Sequence, residues 1–269
     1  MKLNKFLLPL VSSLYGMGLQ ANESGALTAF KLKDNLLSQK AEYIVNQSRY
    51  IVKGLPFITS DRVVEDKVLG KIEIKFVNFG ESRITIQDTS KVDLSPEDLA
   101  RTKNEREVMN EALSKIDPSI TPSFDFIAPI NSIITSGYGK QRFINEQRRN
   151  PHLALDLDGE LGDPVVAPLK AKVILTGDFF YTGNTIFLEH GNGLYTTYAH
   201  LSEISVEVGQ TVQQGSVIGL IGATGRVTGP HLHWTVYYDD NAVNPTALIK
   251  DGYLKKAIQF LRRSFLNLL

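Results

Sequence analysis

The sequence predicts a mainly β protein: an antiparallel β sandwich or barrel-like domain, preceded by a small β-rich domain and a helical linker. Three observations carry this expectation. From about Ser123 onward, short apolar segments follow one another closely with glycines between them, as strands joined by tight turns do. Upstream, "RYIVKGLPFI", "KIEIKFVNF" and "SRITIQD" alternate apolar and polar residues with period two. Between these regions lies one strong helix signature.

In chain order, residues 1–21 come first. "MKLNK" carries two positive charges, "FLLPLVSSLYGMGL" is apolar, and "QAN" sets a small residue before a polar turn. That layout predicts a cleaved secretory signal peptide, with cleavage after Ala21. The apolar run of fourteen residues is short of the roughly 20 that span a bilayer. Residues 22–93 are expected to form the small accessory sheet, and they contain no histidine. Residues 94–122 form the linker. Ser95 is placed as N-cap, Pro96 at the first helical position and Asp98 in the first turn, while Pro118 and Pro122 end regular structure.

Residues 123–248 carry the strand run "APLKAKVILTG", "NTIFLEHG", "LYTTYAHL", "GSVIGLIG" and "HLHWTVYY". "GATGRVTGP" lacks the Lys-Ser/Thr ending of a phosphate-binding loop and reads as a turn delivering the chain into the last of these strands. In residues 249–269, Leu254, Ile258, Leu261, Phe265 and Leu268 fall on one helical face, with Lys255, Lys256, Arg262 and Arg263 elsewhere. Such a C-terminal helix packs on its own protein or touches an anionic membrane surface.

Composition narrows the function. Lys+Arg and Asp+Glu are 29 each, so there is no basic excess for a sequence-independent grip on nucleic acid. Cysteine is absent, so the chain has neither a disulfide framework nor a thiol to carry a lipid.

Its five histidines are unevenly placed, with three of them in "PHLALD" and "GPHLHW". His231 and His233, two apart on a strand, project from the same face roughly 7 Å apart. They suit two metal ligands, or one ligand beside one catalytic group. His152 and Asp156 would lie roughly 13 Å apart on a straight strand, so they share a metal only if the backbone bends. Histidine nitrogen with one carboxylate oxygen suits zinc, and a catalytic zinc takes three protein ligands and leaves a position open. His200 in "YAHL" brings the candidates above that count, and hydrolysis uses the surplus to handle a proton and developing charge. His190 in "LEHGNG" has no partner histidine in a HExxH pattern and is expected to be structural.

"PHLALD", "YAHLS", "VGQTVQQGSVIGLIGATGRVTGPHLHW" and the closing "VNP" resemble the lysostaphin-type (LytM-type) zinc metallopeptidases that cut peptidoglycan cross-links. "ITSGYGKQRFINEQRRNPH" is similar to the entry segment of exported bacterial members, and the likeness runs from about Phe126 to Pro245. The resemblance implies one Zn2+ held by His152, Asp156 and His233, with His200 and His231 as the catalytic histidines. Ala154 departs from the family's HxGxD pattern, and a slightly altered bend is the expected result. The acidic "DGELGD" after Asp156 points to a different cleft rim. Arg142, Asn145 and Tyr198, near the motifs, are candidate substrate contacts, and Asn145 is also a candidate to block the zinc in a latent form.

The function so implied is periplasmic, zinc-dependent hydrolysis of peptidoglycan cross-links at D-alanyl–diaminopimelate bonds. Two alternatives accompany it: a catalytically silent regulator of other wall hydrolases, and a carboxypeptidase trimming stem peptides. "VEVGQTVQQGSVIG" also resembles the hairpin of lipoyl and biotinyl carriers, but lacks their lysine at a tight turn.

Overall fold

A computed structural model of the chain describes residues 22–33, 38, 42–45, 47–117 and 120–249. The expected signal peptide and C-terminal helix lie outside these residues.

Period-two patterning upstream produces strands, but not one sheet. β1 (Leu27–Lys31), β2 (Tyr43–Val45) and β3 (Ser48–Gly54) form an antiparallel sheet in the order β1-β3-β2. β4 (Arg62–Asp66) and β5 (Gly70–Ile74) make a hairpin of their own, closed by Asp66, whose Oδ1 accepts from the Val68 and Leu69 amides. β6 (Glu81–Ile84) joins a third sheet. The three alternating segments therefore fall in three sheets, because period two specifies which face is buried but not which strand is the partner.

Nor does the first sheet have a separate core. Leu27, Ala29, Tyr50 and Val52 share one apolar cluster with Phe124, Leu155, Tyr198, Trp234 and Tyr238. Gly54 sits where a Cβ would come within 2.2 Å of the Tyr238 carbonyl, so only glycine permits that approach. Its amide donates to Asp239 and its carbonyl accepts from Asn241. The main core thus crosses the expected division near residue 93, while a second cluster of Ala26, Leu55, Ile58, Ile72 and Ile74 stays within residues 22–93.

α1 (Pro96–Leu113) starts as its sequence predicts: Ser95 Oγ accepts from the Asp98 amide and Pro96 opens the helix. It is a surface helix, with Ala112 its only buried residue. Glu105 ties it to the main sheet by accepting from the Phe180 amide.

β7 (Ile134–Ser136) is an edge strand of the main sheet. β8 (Gln141–Ile144) and β9 (Gln147–Arg148) form a hairpin, and β6 pairs with β8 in parallel. β10 (Leu155–Leu157), β11 (Pro164–Val166), β12 (Ala171–Phe179), β13 (Gly183–Glu189) and β14 (Tyr195–Ile204) follow. The last strands are β15 (Thr211–Val212), β16 (Val217–Ile221), β17 (Leu232–Tyr238) and β18 (Asn241–Val243).

The sheet runs β15-β12-β13-β14-β17-β10-β7, with β16 against both β14 and β11, and β18 against β17. All five strands expected in residues 123–248 are present, as β12, β13, β14, β16 and β17. The fold is mainly β and antiparallel, and the sheet does not close into a barrel.

Candidate metal centre

The site is built where three strands lie side by side. β17 pairs with β10 so that His233 stands opposite Asp156, and with β14 so that His233 stands opposite Ala199. Residues directly opposite in an antiparallel pair share a face. His233 and Asp156 therefore project together, while Leu232 and Trp234 go into the core on the other side, both fully buried.

His152 reaches this face because the chain bends before β10 begins. Residues 151–154 lie outside any strand, and the His152 Nε2 comes within 3.0 Å of Asp156 Oδ1. The bend on which the HxxxD pair depended is present. Ala154 is accommodated within it, buried and outside the left-handed backbone region.

His200 joins by a different device. Tyr198 pairs with Trp234 and faces the core, and Ala199 faces the cleft. Regular alternation would turn His200 back into the core. Instead it adopts φ of 66°, a left-handed conformation costing an L-residue about 1–2 kcal/mol, in a bulged stretch of β14. Its ring emerges beside Ala199, with centroids 4.9 Å from His231 and 5.7 Å from His233. Leu201 then resumes the core face.

Hydrogen bonds fix which nitrogen each ring presents. A carbonyl oxygen can only accept, so a ring nitrogen bonded to one carries the hydrogen. His152 Nδ1 donates to Gly137 at 3.0 Å, His200 Nδ1 to Thr224 at 2.8 Å, and His231 Nδ1 to Gly229 at 2.9 Å. In the neutral ring, Nε2 then carries the lone pair. The Thr224 carbonyl is brought into place by Gly225, at φ of 79°, where a Cβ would lie 2.4 Å from the Gly183 amide nitrogen.

His152 Nε2, His233 Nδ1 and Asp156 Oδ1 form a triangle with edges of 3.0, 2.7 and 3.3 Å. Ligands of a tetrahedral zinc lie about 3.3 Å apart, so the triangle is slightly tighter than a bound ion would make it. With its ring neutral, His152 sets the Nε2 lone pair 3.0 Å from Asp156 Oδ1, with no hydrogen between them. That arrangement calls for a cation. The donor set fits Zn2+ in type, number and spacing.

Electrostatics agree. Burial opposes the charge on Asp156, but its interactions with His152 and His233 more than offset it and hold the carboxyl far below its ordinary range. Burial holds His233 down at about 4 and His200 at about 3, so both rings are neutral in the physiological range. Neutral imidazoles are what a metal site and a proton acceptor both need.

The triangle lies at the floor of a cleft of about 440 Å³ whose walls include Arg142, Tyr181, His200, Arg226 and His231. Arg142 is thus a cleft residue. Asn145 is not: it accepts from the Ile86 amide at 2.8 Å and donates to the Ile86 carbonyl at 3.0 Å, so its side chain is occupied away from the triangle. Tyr198 is fully buried on the core face, its hydroxyl on Thr196. Neither is a substrate contact here, nor does Asn145 cap the metal position. Nearness in sequence misled for both, since Asn145 sits past the end of β8 and Tyr198 one strand position away from the cleft face.

Arg226 and Ser136 were missed. Arg226 has only its place in "GATGRVTGP", between Thr224 and His231, as a signal. Ser136 Oγ lies 3.3 Å from His152 Nδ1, on an edge strand within the segment "ITSGYGKQRFINEQRRNPH". His190 is structural as expected, bonded to Lys170 and Thr196 on the far side of the sheet.

The sequence pattern of Peptidase family M23 matches residues 150–245. A crystal structure assigned to peptidase M23 from Pseudomonas aeruginosa aligns over 85% of this chain and 90% of its own, at 30% identity and a TM-score of 0.61. Peptidoglycan DD-endopeptidase ShyA of Vibrio cholerae is 40% identical over 112 residues, covering 41% of this chain and 26% of that protein. DD-carboxypeptidase/endopeptidase Mpg of Neisseria meningitidis is 39% identical over 97 residues, 36% of this chain and 22% of that protein. The chain therefore spans about a quarter of the length of these two relatives.

Proposed function

The chain belongs to peptidase family M23, and from that premise we propose that it is a zinc-dependent endopeptidase that hydrolyses peptide cross-links of peptidoglycan, at D-alanyl–diaminopimelate bonds. The observation that carries the reading is the convergence of His152 Nε2, His233 Nδ1 and Asp156 Oδ1 beneath two further histidines with free Nε2 lone pairs. A silent regulator has no use for that complete set. The Vibrio relative, a peptidoglycan DD-endopeptidase by name, supports the substrate class. With it goes a periplasmic location, reached by way of the expected signal peptide.

His152, Asp156 and His233 would hold the metal. Bound there, Zn2+ supplies a Lewis acid that acidifies water and polarises the scissile carbonyl. The chain's own residues do the rest. His231 is the more exposed of the two remaining rings and accepts the proton of the attacking water at Nε2, then returns it to the leaving amine. His200, whose burial disfavours a cation, accepts a hydrogen bond from the water and orients it. The hydrogen bonds to Thr224 and Gly229 keep both rings aimed.

A second reading, trimming of stem peptides as a DD-carboxypeptidase, is favoured by the double activity in the name of the Neisseria relative. The test is zinc content of the purified protein beside His233→Ala, with digestion of cross-linked muropeptides in parallel. Near-stoichiometric zinc and loss of cross-linked dimers, both abolished in the variant, is the expected result. Absence of both from the wild type overturns the metallopeptidase reading.

A further inference from the structure

The cleft holds guanidinium groups for which the protein supplies no counter-ion. Arg142 makes no side-chain hydrogen bond or ion pair among the described residues, and the only carboxylate acting on it is Asp156, already committed to the triangle. Arg226 is held by other means: it donates to the Lys91 carbonyl at 3.3 Å and stacks over the Tyr181 ring at 4.3 Å. Neither contact neutralises it, and Arg142 and Arg149 both repel it. Asp158 lines the same cleft but pairs with neither arginine. Burial opposes charge on both guanidiniums, yet arginine does not give up its proton in proteins. Two partly desolvated positive charges therefore face a cavity, Arg142 with its donors unused and Arg226 with all but one of them free. Arginine's planar fork matches a carboxylate in geometry as well as charge.

Resting on the endopeptidase reading, we propose that Arg142 and Arg226 form a seat for the free α-carboxylate of the residue whose amine leaves. In a D-alanyl–diaminopimelate cross-link, the carbon bearing the scissile nitrogen also bears a free carboxylate, about 2.5 Å from that nitrogen. The terminal D-alanine of a stem pentapeptide has the same arrangement. One seat thus serves both substrates, whereas a bond inside a glycine bridge offers no such carboxylate. Arg142 and Arg226 line the same cleft as Asp156 and His233, which sets both charges on the walls around the metal position. These arginines are specificity determinants, and the leaving residue's carboxylate is what they read.

The test uses the full chain loaded with zinc and three substrates: a cross-linked muropeptide dimer, the same dimer amidated at that carboxylate, and a stem pentapeptide. The expected result is that amidation lowers kcat/KM by roughly 10- to 100-fold, the loss of one charged hydrogen-bonded contact. Arg142→Gln and Arg226→Gln should lower cleavage of the free-carboxylate dimer and of the pentapeptide together, and erase the preference over the amide at unchanged zinc content. Arg142→Lys should restore part of it. Binding of the product peptide and of its amide, measured without turnover, should show the same discrimination. Equal cleavage of free and amidated dimers by the wild type overturns the seat and leaves the endopeptidase standing. Cleavage of none of the substrates by zinc-loaded protein overturns the endopeptidase reading, and the seat falls with it. Loss in the arginine variants of activity on the dimer alone, with the pentapeptide unaffected, overturns the shared-carboxylate account.

Discussion

His152 and His190 sit in closely matched surroundings and do different things. Each is 1% exposed, and each donates from Nδ1 to a main-chain carbonyl, Gly137 at 3.0 Å or Lys170 at 3.1 Å. The contrast lies at Nε2. For His190 the partner is the Thr196 hydroxyl at 2.8 Å, itself bonded to the Tyr198 hydroxyl. A hydroxyl can rotate to supply a hydrogen, so the chain of bonds is satisfied within the protein. For His152 the partners are a carboxylate oxygen and a second imidazole nitrogen. Burial and the Nδ1 partner do not separate a structural histidine from a candidate metal ligand; what Nε2 faces, a hydroxyl or a carboxylate beside a second ring, does.

Breaking the His152 side of this comparison should have the largest effect. His152→Ala or His233→Ala is expected to abolish zinc binding and lower turnover roughly 10³-fold or more, read by metal analysis and muropeptide digestion. Next come the rings that face the cleft without belonging to the triangle. His200→Ala and His231→Ala should keep zinc yet lose roughly 10²- to 10⁴-fold in kcat. Loss of zinc in either would move that histidine into the ligand set.

The His190 side should break differently. His190→Gln is expected to cost about 2 kcal/mol in denaturant unfolding, with zinc content and activity per folded molecule unchanged. Its pH signature has a definite sign. Burial holds the native ring at about 4, against 6.5 for the exposed imidazole of the unfolded chain. Above 6.5 both states are neutral and the group has no effect. As pH falls from 6.5 to 4 the unfolded state takes the proton first, and stability drops by up to about 3 kcal/mol. The Gln variant should lack this part of the acid destabilisation, and an unchanged acid slope would refute the assignment.

The smallest effect is expected at Asn145. Asn145→Ala removes both hydrogen bonds to Ile86 and should lower stability by about 1–2 kcal/mol with activity intact. A rise in activity would mean that Asn145 restrains the metal site after all.

The local parts of the site were legible in the sequence. HxH on a strand needs only period two to place His231 and His233 on one face, and HxxxD reduced to whether the chain bends at 151–154. Ser95, Pro96 and Asp98 started α1 where helix-capping chemistry places it. What could not be read was partnership between distant segments. The parallel pairing of β6 with β8 joins Glu81 to Gln141, and Gly54 packs on Tyr238, with nothing local to announce either. Tyr198 and His200 were misjudged or under-determined for one reason: the bulge between them sets which of two neighbouring residues faces the cleft, and alternation alone points to the wrong one.

That bulge has a consequence for how β14 can vary. Side chains from Tyr198 to Leu201 read in, out, out, in, so the strand changes phase at His200. Removing one residue there would restore an unbroken alternation, relieve the left-handed backbone and erase the ring proposed to orient water. On that proposal the most regular version of this sheet is an inactive one. Substitutions along Tyr195–Ile204 should be graded in effect, whereas a one-residue insertion or deletion should be all or none. The length of the strand is as much a part of the machinery as the histidine it presents.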